Sequence, residues 1–298
     1  MDQTTSHRAS TTLSVLLGVL GVGAAAVALL GPLGFDIIEY RDSAGAINQI
    51  QGGDVAGLVL VAPLCFWSAY LVARRHIAGP VLALGPSLYA LYLYIELSFV
   101  GDVSRYEGNS ERFFPLFAVL LIVAGAVAWL AWRSIDRAAL PITGRRVARS
   151  FAWFVLVVAA FLLVGLHLPG MVDAWRSAPT SEEYLADPSL FWLVKLMDLV
   201  VVVPVLVVVG VGVLRSRAWT KLAMYAVASW VALLGSSVAG MAIVMQIEDD
   251  PGASIVNLIA FATFALIAIA FAVVIHRPLL TSTAAMRSAE VERIPTSV

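Results

Sequence analysis

Eight stretches of the chain are apolar for about 20 residues, the length that carries an α-helix across a hydrocarbon core about 30 Å thick. They cover roughly residues 13–35, 55–73, 77–100, 113–132, 151–172, 190–214, 222–246 and 254–275, and polar segments separate them. Backbone N–H and C=O groups have no water to bond in lipid, so runs of this length fold as helices. The pattern predicts an all-α integral membrane protein, an eight-span helical bundle. One short helix is predicted outside the spans. Thr180 is followed three residues later by Glu183, a capping-box spacing. Asp187-Pro188 then reads as an N-cap with proline at the first helical position, which starts span six.

Composition agrees with the pattern. The 298 residues are 60% hydrophobic and 13% charged, with a mean hydropathy of +0.90. A soluble domain does not carry that much apolar surface. A single cysteine, Cys65, excludes an intramolecular disulfide and a two-thiol redox centre. His7 and Arg8 before the first run, and Ala24, Ala25 and Ala26 within it, give it the outline of a signal peptide. The run is longer than an ordinary signal core, and it is read as an uncleaved first span. The arginine, alanine and valine bias fits a GC-rich bacterial genome.

Charge adds an orientation. Of the basic residues outside the spans, fourteen fall on one side, including Arg74, Arg75, the five arginines of segment 133–150, Arg215, Arg217 and Lys221. The other side holds four: Arg41, Arg105, Arg112 and Arg176. An excess of Lys and Arg marks the cytoplasmic side, so the expected topology is N-in/C-in in the cell membrane. The expected organisation is a cytoplasmic N-terminus at 1–12, a membrane domain at 13–276 and a flexible cytoplasmic tail at 277–298. The outer loops are acidic. Solvation and topology account for that, and attraction of cations is the sharper reading.

A tandem repeat is also legible. Span one ends "GPLGFD" and span five "LPGMVD", with the same spacing from Pro32 to Asp36 as from Pro169 to Asp173. Span two has Pro63 with Arg74 eleven residues on, and span six has Pro204 with Arg215 eleven residues on. Lys195 then falls opposite Asp54. This predicts two four-helix halves (4+4), 13–132 and 151–276, joined by the basic loop 133–150, with parallel topology.

Helix rise converts spacing into depth. Asp54 lies about 30 Å along its span from Arg74, Glu96 about 31 Å from Arg75, and Lys195 about 30 Å from Arg215. His167 lies about 27 Å from Arg149 and Asp198 about 26 Å from Arg215. These five residues form one layer at the outer edge of the core. Ionisable groups in spans are costly and face a partner or a cavity. Lys195 can snorkel to water, pair with Asp198 three residues on, or reach Glu96. Tyr89, Tyr92 and Glu96 follow at i, i+3 and i+7 on one face of span three. Gly79-Pro80 and Gly85-Pro86 give that span two places to bend. The tyrosines read either as an interfacial belt or, on a face shared with Glu96, as part of an outward-facing polar vestibule lined by spans two, three, five and six. Ser68 and Tyr70 on span two are further polar groups. The candidate ligand-binding residues are therefore Asp54, Tyr89, Tyr92, Glu96, His167, Lys195 and Asp198. In spans seven and eight, Ser236 and Gly240 predict close packing, and Asn257 and Thr263 predict interhelical hydrogen bonds.

No metal-ligand spacing, Walker loop, dinucleotide fingerprint or GxSxG occurs, and no cofactor, metal or nucleic acid is expected. A triad of Ser98, His167 and Asp198 can be drawn but has no motif behind it. Lys195 as a Schiff-base lysine is equally without support. Three functions compete: a small-solute transporter or permease taking a solute or cation from the outer side, a non-catalytic scaffold, sensor or accessory subunit, and an outer-leaflet lipid or envelope enzyme. The duplication and the polar layer favour the first, the sparse chemistry favours the second, and an enzyme is the least favoured.

Overall fold

Wherever the chain is apolar it is helical. The computed structural model describes residues 3–99 and 101–281, and no strand occurs among them. The helices are α1 (Gln3–Leu30), α2 (Ala44–Ala73), α3 (Ala78–Phe99), α4 (Ser110–Ser134), α5 (Arg145–Ala174), α6 (Glu182–Ala186), α7 (Pro188–Leu214), α8 (Thr220–Ile247) and α9 (Ile255–Thr281). All but α6 are long and apolar enough to cross a bilayer.

Several ends differ from the sequence expectation. Residues 3–12, read as a polar terminus, are the first turns of α1. That helix stops at Leu30 rather than 35, because Gly31-Pro32 ends the ladder and the chain folds back. Phe35 N–H donates to Leu29 C=O, and the N–H groups of Ile37 and Ile38 donate to Leu30 C=O. Helix α2 begins well before residue 55, at a Ser43 cap whose hydroxyl accepts from Ala46 N–H. Helix α6 is capped by Ser181, not Thr180. Asp173 takes the Thr180 hydroxyl and N–H, leaving Ser181 Oγ to accept from Tyr184 N–H. The Asp187 cap is as expected, with Oδ1 accepting from Ser189 and Leu190 N–H. Helix α9 runs to Thr281, so 277–281 of the expected tail are helical. The rest of that tail, 282–298, and residues 1–2 lie outside the described residues.

Three long helices carry a π segment, and each ends two residues before a proline: Gly57–Val61 before Pro63, Phe161–His167 before Pro169, and Asp198–Val202 before Pro204. Proline has no N–H, and its ring crowds the carbonyl four residues back. Widening the turn to i→i+5 bonds moves that carbonyl away without ending the helix. Thus α5 passes through Pro169, whereas α1 stops before Pro32. The resemblance between those two span ends in sequence does not extend to their backbone.

The α2–α3 and α7–α8 corners do match. One constant separation relates Gly57 to Asp198, Pro63 to Pro204, Arg74 to Arg215 and Arg75 to Ser216. Arg75 and Ser216 both have left-handed backbone, with φ of 53° and 54°. Arg75 and His76 N–H donate to Val72 and Leu71 C=O, and Ser216 and Arg217 N–H donate to Val213 and Gly212 C=O. This is the Schellman closure in both places.

Helix α8 sits at the centre, against α2, α3, α7 and α9. Glycines set its closest approaches. A Cβ on Gly240 would lie 2.5 Å from Gly52 O, and one on Gly85 2.4 Å from Ser229 Cβ. Gly85 therefore serves a helix contact, and α3 is unbroken through Pro86. Ser236 turns its hydroxyl to Ala232 C=O in its own helix, so Gly240 alone carries the expected small-residue contact. Asn257 and Thr263 make no interhelical bond among the described residues; both are exposed on α9. Only 17% of the α9 window is buried, because that helix touches the bundle along one face.

The start of α1 bonds the end of α2, through Ser10 Oγ to Val72 O and Ser14 Oγ to Ala69 O. The end of α9 bonds the start of α8, through His276 and Ser229. The start of α1 and the end of α9 thus lie with Arg74, Arg75, Arg215 and Arg217 at a basic end of the bundle. At the opposite, acidic end the loops are tied together. Arg41 grips Glu111 through Nε and Nη2 and the Tyr106 carbonyl through Nη1. Arg105 donates to the Leu185 and Ala186 carbonyls of α6.

Two acids are buried within these ties. Asp42 and Asp187 each hold one oxygen without a partner. Burial pushes the Asp42 carboxyl up from 3.8 to about 6, the Ser43 N–H opposes the shift, and the Asp187 charge adds to it. The folded state therefore binds more protons than the unfolded chain between about pH 4 and pH 6. Stability falls as pH rises through that window and levels off above it. Asp42→Asn is expected to flatten this dependence and to raise stability at pH 7 by on the order of 1–2 kcal/mol after solvent screening. Thermal unfolding in detergent at pH 4, 5, 6 and 7 checks it; parallel curves for both proteins would contradict the assignment.

Candidate functional site

The π segments decide which ionisable side chains meet. His167 is the last residue of the segment in α5, and Asp198 is the first of the segment in α7. His167 Nε2 lies 2.7 Å from Asp198 Oδ2. Tyr92 on α3 donates its hydroxyl to Asp198 Oδ1 at 3.0 Å. Asp198 is therefore the hub of a chain through three helices, and both its oxygens are engaged. Its side chain is 13% exposed and that of His167 only 3%. His167 Nδ1 is buried without a partner.

Lys195, one turn before Asp198, takes none of the three routes expected for it: its ion pair is with neither Asp198 nor Glu96. It does not reach Glu96 or snorkel to water but is 4% exposed. Its Nζ lies 3.2 Å from the Phe191 ring centroid and 3.7 Å from Glu183 Oε2 on α6. Cation–π attraction and an ion pair together hold the ammonium. Gly170 of α5 lies alongside: a Cβ there would make ordinary contact with Lys195 Cε at 3.6 Å. Glu96 is half-buried on α3, within electrostatic reach of Asp198, and makes no hydrogen bond among the described residues.

The structure thus brings Tyr92, His167 and Asp198 together, with Glu96 beside them and Lys195 tied to α6. It places Tyr89 and Asp54 elsewhere. Tyr89 shares a face with Tyr92 in sequence, but its hydroxyl donates to Ser237 of α8 at 3.1 Å. Asp54 is 3% exposed and lies with Tyr89 and Tyr94 around a small cavity between α1, α2 and α3. Ser68 is buried and its hydroxyl is unpaired; Tyr70 is exposed beside Arg74 at the basic end. Ser98 donates to its own helix at Tyr94 C=O and does not join His167. No group of three metal-ligating side chains occurs among the described residues.

Sequence reasoning did not find Glu183, Tyr40, Ser237 or the Asp42–Asp187 pair. Only Glu183 left a signal, as an acid in a predicted short helix next to the one lysine within a span. The proline after His167 and the one after Asp198 marked the π segments, but a proline in a span predicts a kink as readily as a widened turn.

These features define a class: an eight-helix membrane bundle whose buried polar side chains sit at helix discontinuities. Comparison with known protein families, characterised proteins and solved structures finds no match.

Proposed function

We propose that this chain is a small-solute transporter built from two equivalent four-helix halves, with the acidic end outward and both termini in the cytoplasm. The observation that carries the reading is the repeated break in α2 and α7. Each half supplies a helix with a π segment, a proline and a left-handed terminal residue at matching positions. Each also places an ionisable side chain three residues before the break, Asp54 in one and Lys195 in the other. Discontinuous, repeat-related helices with polar groups are how many carriers build their binding sites. The helix pairing supports equivalent halves. Helix α3 packs on α8, the third span of each half; α7 also touches α3, over a much smaller area than α2 covers on α8.

In this conformation the polar layer is closed. Side chains fill it, and α6 covers Lys195 from the acidic end through Glu183. Opening requires α6 to lift, breaking the Arg105 bonds to Leu185 and Ala186. The filled interior also favours a second reading, a non-catalytic membrane scaffold or accessory subunit.

Proteoliposomes on a solid-supported membrane separate the two. Challenge with amino acids, sugars, organic acids and inorganic cations is expected to give a transient current for at least one class. Asp198→Asn is expected to reduce that current at least tenfold. If wild-type protein gives no current above empty liposomes with any of them, the transport reading fails and the scaffold stands.

A further inference from the structure

Asp54 is a deeply buried carboxyl group with no cationic partner among the described residues. Asp54 lies inside α2, three residues before its π segment, and is 3% exposed. Its Oδ2 is buried with no hydrogen-bond partner. No arginine, lysine or histidine bonds it among the described residues. An isolated carboxylate anion in such a place costs far more than the fold can supply, so it needs a positive partner.

The surroundings were built without one. Helix α1 contributes Ala24 and Val27, and α8 approaches with Ser237 at Gly53. Helix α3 contributes the phenols of Tyr89 and Tyr94, and the segment after α1 contributes Tyr40, whose buried hydroxyl is also unpaired. Cys65, the other titratable group of α2 on this side, is a buried free thiol near Tyr94. Oδ2 lies 3.0 Å from where a Gly31 Cβ would stand, just past the C-terminal end of α1. A helix C-terminus carries partial negative charge, so it repels an anion and favours a cation or a neutral acid. Beside the carboxyl is a cavity of about 10 Å³, lined by Asp54, Gly57, Tyr89 and Tyr94. That volume holds about one water molecule. Gly57 faces open space, since a Cβ there would meet nothing within 4 Å.

We propose that Asp54 is a proton-binding site within the membrane, loaded and emptied through the water-sized cavity at the α2 π segment. The cavity is too small and its tyrosine hydroxyls too few for the six or so oxygens a larger metal ion takes. A proton needs only the one free oxygen and a water to reach it. The role of this proton as a coupling ion rests on the transport reading above; the binding site itself does not.

Infrared difference spectroscopy on the full-length protein in liposomes, stepping pH from 5 to 9, tests the site without any transported solute. Wild-type protein is expected to lose the carbonyl band of a protonated acid as pH rises. In Asp54→Asn that band is absent, while signals from Asp42 persist. Asp54→Glu keeps an acid at the position and moves the band, so the assignment survives if the asparagine variant does not fold. A wild-type spectrum indistinguishable from Asp54→Asn overturns the proposal. So does a transition that shifts with sodium chloride but not with choline chloride, which would make the ligand a sodium ion. A protein that shows the band yet carries no solute keeps the site and loses only the transport reading.

Discussion

Gly52→Ala is expected to destabilise the folded protein by about 3 kcal/mol or more, at the upper end of overpacking costs. A Cβ at that position would lie 2.3 Å from both Met241 Cα and Met241 N and 2.5 Å from Gly240 C. These are backbone atoms of α8, and a rotamer change cannot clear them. The opposing Gly240 has the same constraint, with Gly52 O at 2.5 Å. To admit one methyl group, α2 must separate from α8, and the whole contact between them loosens. Gly18→Ala provides the control. A Cβ there meets nothing within 4 Å, and alanine is the better helix former by about 1 kcal/mol. The same substitution should thus stabilise α1 and disrupt α2. Thermal unfolding in detergent, followed by the folded peak in size exclusion, compares them. Equal behaviour would show that the glycine contact does not hold the bundle.

Removal of the Asp198 hub should cost about 3–5 kcal/mol in Asp198→Ala, the range for breaking a buried pair. The loss arises mainly from what is left behind. The Tyr92 hydroxyl and His167 Nε2 would both lie in apolar surroundings without their acceptor. Tyr92→Phe alone removes donor and desolvation cost together and should cost about 1 kcal/mol. In the Asp198→Ala background it should cost almost nothing, giving a coupling of about 0.6–1.7 kcal/mol, the range measured for hydrogen bonds between membrane helices. Unfolding in mixed micelles across the four proteins measures this. Strict additivity would mean that the Tyr92–Asp198 bond is not formed in the membrane.

The two results bear on different links. The glycine contact concerns only how α2 and α8 pack, and the Asp198 cycle concerns three helices that meet at a polar point. A variant that retains the fold but loses current, as expected for Asp198→Asn, separates function from stability at the same residue.

Most of the helical layout was legible in the sequence because bilayer thickness and backbone hydrogen bonding leave a 20-residue apolar run only one structure. All eight long helices fall on predicted runs. Their ends were less legible. Hydropathy does not distinguish Pro32, which ends α1, from Pro169, through which α5 continues. That outcome depends on whether the preceding turn can widen against its neighbours. Residues 44–54, too polar to read as a span, extend α2 because Ser43 caps them and α8 covers them.

By itself the sequence determined the number of long helices, the grouping of basic and acidic loops, and how far along their helices Asp54, Glu96, His167, Lys195 and Asp198 stand from the arginines at the basic end. Each follows from composition and from the fixed rise of a helix, which need no knowledge of neighbours. Tertiary structure alone decided the partners. It gave Asp198 to His167 and Tyr92, Lys195 to Glu183 and Phe191, and Tyr89 to Ser237, and it left Asp54 with none. Depth places a side chain along a helix, but helix rotation and packing choose what it meets, and both are set by close approaches such as Gly52 on Gly240 that have no periodic signal in the chain.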